Sequence, residues 1–180
     1  NTVVAIGSAT VFAVVAGTFF AWLVERTDVG LRSLGRLLPI LPLLLPPIAG
    51  AVGWLLLGAP RSGFLNAWTR YLFEMLGVSE IGAIVNIFSM AGLIFVYVIY
   101  LVPHVFLSVS AALRNLDPAL EEAARISGAG PVKTILTVTV PAILPQVISG
   151  GILAMIYGFT LFSIPLVIGG QADIEVLAVR

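Results

Sequence analysis

Two uninterrupted apolar stretches limit what this chain can become. Residues 2–24 carry no charge, and residues 81–113 carry no formal charge. A helix needs about 20 residues to cross a bilayer. Across 180 residues, 59% are hydrophobic, 10% are charged and the mean hydropathy is +1.11. A soluble domain carries about 25% charged residues, and so small a globule cannot bury this much apolar surface. Lipid is its natural solvent. The expected fold class is all-α: a polytopic helical membrane protein, one domain over residues 1–180. The formal net charge of zero points to no nucleic-acid partner, and the absence of cysteine excludes disulfides and thiolate metal sites. The chain opens on Asn1 rather than methionine and is read as part of a longer protein.

Four spans are expected, near 2–24, 37–57, 84–110 and 142–164. In the first, Ala5, Ala9, Ala13, Gly17 and Ala21 recur every fourth position, spacing that lets another helix approach closely in lipid. The stripe drifts by about 40° per step and so winds towards more than one neighbour. In the second, Pro39, Pro42, Pro46 and Pro47 each remove a backbone donor. Broken backbone at membrane depth survives only against protein or a water-filled cavity, so this segment is expected either inside a bundle, near a pathway, or as a simple kinked helix. Residues 58–82 form a longer connection. Within it Ala67, Trp68, Tyr71, Leu72, Met75 and Leu76 follow helical spacing, with Arg70 and Glu74 opposite. That pattern suits an interfacial helix with Trp68 and Tyr71 at headgroup level.

The third apolar run exceeds one bilayer thickness, with a bend expected at Pro103. His104, the only histidine, follows it. An intramembrane histidine is either a proton or ligand site or a neutral ring bonded to a neighbouring helix. In the fourth span Gly150, Gly151 and Gly158 permit close packing, and Tyr157, Thr160 and Ser163 form a polar edge. His104, Tyr157, Thr160 and Ser163 are the candidate pathway residues.

Basic residues set the orientation. Arg26, Arg32, Arg36, Arg125 and Lys133 in the loops 25–36 and 117–141, with Arg114 just before the second, make six of the nine on one side, which is assigned to the cytoplasm. Arg26, Arg32 and Arg36 stand there against Glu25 and Asp28. Glu74, Glu80, Asp173 and Glu175 lie outside on this reading, as does Arg180.

Residues 117–141, DPALEEAARISGAGPVKTILTVTVP, are the polar island in the chain. Asp117 can accept from free backbone N–H groups and Pro118 suits the first helical position. The helix should run to about Ser127 and stop at Gly128, which tolerates the left-handed conformation. Gly130 and Pro131 force a second break before the return to the membrane through Pro141. Leu120, Ala123, Ala124 and Ser127 share one face, flattened by two alanines so that it can enter a groove. Glu121 and Arg125 are spaced to pair, which leaves Glu122 to meet a partner's cation.

Glu122-Ala123-Ala124, three residues, Gly128, nine residues, then Val138-Thr139-Val140-Pro141 resembles the EAA motif of bacterial ABC import permeases. The two aliphatic positions are valines here, a mild departure. More loosely, LPILPLLLPPIAGAVGWLLLG, Pro103-His104 and FSIPLVIGG resemble the ferric-iron and polyamine-type branch. The resemblance implies that this helix is a coupling helix gripped by a cytoplasmic ABC ATPase subunit. Glu122, Ala123, Ala124 and Gly128 would form the contact core, flanked by Leu120, Arg125 and Ser127. It further implies an extracytoplasmic solute-binding protein and a second permease half as partners. The sequence lacks a GxxxxGK[ST] phosphate loop, so ATP is expected on the partner, with no cofactor on this chain.

The chain is therefore expected to be a permease subunit and not an enzyme; a membrane scaffold with a partner-binding loop is the alternative of a different class. No paired carboxylates, metal cluster or Ser/His/Asp set suggests catalysis. Iron(III) is the solute favoured by resemblance alone. Polyamine, thiamine, phosphonate or another small solute stay open.

Overall fold

A computed structural model of the protein describes residues 1–27, 32–77 and 82–171. Asp28, Glu80, Asp173, Glu175 and Arg180, used above to orient the chain, lie outside the described residues, as does the Arg32 side chain. Among the described residues every regular element is a helix: α1 (Thr2–Arg26), α2 (Arg32–Leu37), a 3-10 stretch (Leu38–Leu44), α3 (Pro47–Gly58), α4 (Phe64–Met75), α5 (Met90–Asn115), α6 (Pro118–Ile126), α7 (Pro131–Thr134), a π-turn (Ile135–Thr139), α8 (Val140–Thr160) and α9 (Ser163–Ile168). Among the described residues, three helices are long and apolar enough to cross a membrane: Thr2–Arg26, Met90–Asn115 and the continuous Pro131–Thr160. Leu34–Leu44 and Pro47–Gly58, bent by 101° at their junction, make a fourth span if counted together.

Helix α5 is the centre of the bundle, packed against α1 and α8, which also touch each other. Val96, Tyr97, Leu101, Val105, Val109 and Leu113 are buried along it. It starts at Met90, behind a Ser89 cap that accepts from the Gly92 N–H, and it runs through Pro103 as one helix. The small residues of α1 are its buried face: Ala5, Ala9, Ala13, Gly17 and Ala21. A Cβ at Gly17 would lie 2.9 Å from Val105 Cβ and 3.1 Å from both the Phe106 nitrogen and the Val102 carbonyl oxygen. Here backbone meets backbone, which only glycine permits. Towards lipid α1 turns Val11, Phe12, Val15 and Phe19, all exposed.

The proline-rich segment departs from expectation. No residue of the 3-10 stretch is buried, and Leu38, Leu41, Leu43, Leu44 and Leu45 are exposed. Within this chain it lines the outside of the bundle instead of its interior, because its prolines cannot supply the regular ridges that helix packing uses. Contacts trace its course from one end of the bundle to the other: Gly35 against Val24, Gly50 against Tyr100, Gly58 against Ile87. Pro46 carbonyl oxygen, at the sharp bend, accepts from Gly50 N–H and sits 3.5 Å from Tyr100 Oη. Trp54 meets Phe95 edge to face at 4.8 Å and fastens α3 to α5.

The last span also ends sooner than residue 164. Helix α8 stops at Thr160, and Leu161–Phe162 separates it from α9. Tyr97 Oη donates to the Leu161 carbonyl at 3.3 Å, satisfying an acceptor that the break releases. At the opposite extreme Pro141 is not a turn residue, since α7, the π-turn and α8 run on as one helix. Proline at 141 removes the donor that would reach back to Thr137, and the wider π-turn absorbs that loss.

Helix α4 leaves its apolar side uncovered: Phe64, Trp68, Tyr71, Met75 and Leu76 are exposed. It is held by Asn66, fully buried, whose Nδ2 donates to the carbonyls of Ala59 (3.0 Å) and Val85 (2.7 Å) while Oδ1 accepts from Val85 N–H (3.0 Å). Asn66→Ala would strand the Val85 N–H, a loss of about 1–3 kcal/mol. It should lower the Tm of the detergent-solubilised protein more than Thr69→Ala. Gly17→Val should cost about 1–3 kcal/mol by overpacking α1 against α5. A thermal-shift measurement showing Gly17→Val as stable as the parent would contradict that close approach.

Candidate functional site

Helix α6 is built as its sequence dictates. The Asp117 carboxylate accepts from Ala119 N–H at 2.9 Å, and Pro118 takes the first helical position. At the far end Gly128 adopts φ +84°, Gly128 N–H reaches Arg125 oxygen (2.9 Å) and Ala129 N–H reaches Ala124 oxygen (3.0 Å). This pair of bonds is a Schellman stop, and its left-handed residue is where glycine is favoured. Ser127 Oγ also donates to the Ala123 carbonyl (2.8 Å), so this side chain closes the last turn. Gly130 then precedes Pro131, the first residue of α7.

None of the nine residues of α6 is buried. Leu120, Glu122, Ala123 and Arg125 are exposed and Ala124 is half-buried. Sequence reasoning missed Ile126, 88% exposed, and Val132, 70% exposed, two further uncovered apolar residues of this stretch. Their exposure was legible only as isolated apolar residues in the polar stretch.

Glu121 does not pair with Arg125. Its Oε1 lies 3.2 Å from Arg26 Nε and accepts from Thr139 Oγ1 at 2.8 Å. The Arg26 approach is charge attraction without a hydrogen bond at Nε among the described residues. A tertiary cation in the last turn of α1 outcompetes the intrahelical one, because an exposed i,i+4 pair is worth only about 0.3–0.5 kcal/mol.

Beside it stands a second polar cluster, also missed. Glu25 and Arg26 are the last turn of α1, not loop residues. Glu25 is 7% exposed; it accepts from Arg36 Nη2 (2.8 Å), Arg36 Nε (3.2 Å) and Ser110 Oγ (2.8 Å), with Arg114 Nε at 3.9 Å. One carboxylate thus joins α1, α2 and α5 at the end of the bundle where α6 sits. The signal in the sequence was a carboxylate directly after an apolar run, but spacing does not say which cation finds it.

Tyr157, Thr160 and Ser163 do not form one polar edge. The His104 ring packs on Tyr157 at 4.3 Å between centroids, tilted by 35°, at the contact of α5 with α8. His104 Nδ1 is buried without a hydrogen bond among the described residues. Thr160 Oγ1 donates to the Tyr157 carbonyl at 2.7 Å within its own helix. Ser163 belongs to α9, beyond the break. The intermittent helix separates what even spacing had aligned.

Known proteins share this arrangement of sequence. Residues 9–180 match the family described as "Binding-protein-dependent transport system inner membrane component". The molybdenum transport system permease protein ModB of Escherichia coli (strain K12) is 34% identical over 147 residues, 81% of this chain and 59% of that protein. A putative ferric transport system permease protein, FbpB 1 of Haemophilus influenzae, is 26% identical over 175 residues, 97% of this chain and 26% of that protein. The putative 2-aminoethylphosphonate transport system permease protein PhnU of Salmonella typhimurium is 34% identical over 110 residues. The chain thus spans about half the length of the first of these relatives and a quarter of the second. With three apolar helices and a bent pair bundled around α5, and residues 9–180 matched, the chain belongs to the binding-protein-dependent transport system inner membrane component family, whose members are multi-pass proteins of the inner membrane.

Proposed function

We propose that the chain is a permease subunit of an ATP-driven importer and that α6 is its coupling helix, seated in a groove of a separate cytoplasmic ABC ATPase. The observation that carries this reading is α6 itself. A short helix, capped at both ends, leaves Leu120, Ala123 and Ile126 uncovered on the end of the bundle that carries Arg26, Arg36 and Arg114. Glu122, Ala123, Ala124 and Gly128 make the contact core on this reading, with Leu120, Arg125 and Ser127 beside them. Gly128 serves twice, as the left-handed stop and as a place where a partner's backbone can approach. ATP binding and hydrolysis belong to the partner.

A second permease half completes the pathway. Support comes from the 3-10 stretch, Leu38–Leu44, none of whose residues is buried in this chain and whose Leu38, Leu41, Leu43 and Leu44 are exposed. Irregular backbone at membrane depth needs protein or a water-filled cavity beside it. A solute-binding protein on the outer side delivers the solute, as the family description implies.

For the solute, molybdenum as its oxyanion is the reading with most support, because ModB matches at 34% identity over 81% of the chain. Iron(III), favoured by resemblance of motif alone, rests on FbpB 1, which aligns over 97% of the chain at 26% identity. Uptake of radiolabelled molybdate and of iron(III) by cells carrying the full-length transporter separates the two. Molybdate uptake abolished on deleting the gene is the expected result; loss of iron uptake alone would reverse the order. For the coupling helix, Gly128→Glu should reduce uptake about 100-fold, near the upper range of a coupling free energy, with the protein still in the membrane. Normal uptake by that variant, or failure of any ABC ATPase to co-purify with the parent protein, would favour the scaffold alternative.

A further inference from the structure

We infer that Glu121 is a positioning residue that carries displacement of α6 to two spans at once, to α1 through Arg26 and to α8 through Thr139. The inference rests on the coupling-helix reading and names the residues that would make the coupling work.

Helix α6 has little else to push with. Its packing within the chain is confined mainly to α7 and the π-turn, and none of its residues is buried. Glu121 faces inward, with its side chain 16% exposed, and Arg26 opposite is 18% exposed. A carboxylate in that setting is attracted to a cation far more strongly than one in open water. The same oxygen that faces Arg26 Nε at 3.2 Å accepts from Thr139 Oγ1 at 2.8 Å, so both links converge on one atom, Oε1. Moving it strains two contacts together.

Both receiving ends are placed to respond. Arg26 directly follows Glu25, whose buried carboxylate is bonded to Arg36 and Ser110. A pull on the end of α1 therefore reaches α2 and α5 as well. Thr139 is the last residue of the π-turn that joins α7 to α8. A π-turn is a wide, irregular step in a helix and a natural place for it to re-form. Between α1 and this turn lies an open apolar groove of about 390 Å³, lined by Val15, Thr18, Phe19, Ile135, Thr139 and Val140. Packing is loose there. Across that gap the polar contacts of Glu121, rather than close apolar packing, tie the loop to α1.

The test uses the complete transporter with its ATPase, reconstituted in proteoliposomes, measuring solute moved per ATP hydrolysed. Arg26→Ala and Glu121→Ala should each lower this ratio about tenfold, while the ATPase still co-purifies and still hydrolyses ATP. The charge exchange Arg26→Glu with Glu121→Arg should recover most of the ratio, as a double-mutant cycle requires of a true pair. Thr139→Val should lower the ratio and Thr139→Ser should keep it. Should the single charge variants fail to reach the membrane, the exchange and the Thr139 pair decide. An unchanged ratio in the single variants overturns the inference, as does a Thr139→Val variant that behaves as the parent together with a charge exchange that recovers nothing. Loss of the docked ATPase at an unchanged ratio also overturns it, since Glu121 would then be a docking contact. If no ABC ATPase accompanies the parent protein, it is the coupling-helix reading that fails.

Discussion

The approach of α1 to α5 at Gly17 is the constraint from which the bundle follows. In lipid, apolar side chains gain nothing by leaving their solvent, so helices associate by fit and by polar contacts. At Gly17 the backbone of one helix lies against Val105 and the Phe106 nitrogen of the other. Closeness there fixes the crossing of the two longest buried surfaces. Alanines above and below keep the helices close, and α8 can then touch both. Gly150 brings α8 close to α5 in a similar way: a Cβ there would lie 3.1 Å from Ser108 Cβ and 3.2 Å from Val105 Cα.

Polar atoms supply the rest of the specificity. A buried carboxylate such as Glu25 is costly to desolvate, and only multiple partners offset the cost. Two guanidinium bonds from Arg36 and one hydroxyl bond from Ser110 do so. At the opposite end the single amide of Asn66 gathers three backbone groups from two separate segments. Tyr97 bonds the Leu161 carbonyl that a helix break leaves, and Tyr100 approaches the Pro46 carbonyl at the sharp bend before α3. Two of the backbone irregularities thus have a tyrosine placed against them.

These pairings explain what the sequence could and could not disclose. Periodicity located α1, α4 and α6, because small residues every fourth position, an aromatic stripe, and a Asp-Pro start with a glycine stop are local signals. The EAA string identified the loop for the same reason. Partners over long separations left no local trace. Arg125 was the obvious mate for Glu121 by spacing, yet Arg26, 95 positions earlier, took the place. Apolarity also overran geometry. Residues 161–162 are as apolar as their neighbours, so the helix break after Thr160 was invisible. The prolines announced irregular backbone, but not on which side of the bundle it would lie.

The five residues of the π-turn have one more consequence, which concerns helical phase. Each residue added to or removed from a helix rotates all that follows by about 100°. Helix α8 presents Ile148, Ile152, Met155 and Phe159 outward, and Gly150 and Gly158 inward. That division is set below the span, at Ile135–Thr139, where the winding widens. A tightening of this turn by one residue would rotate α8 about its own axis with no change in any of its side chains. The assignment of lipid face and protein face along the whole span is therefore decided by backbone winding next to the polar loop.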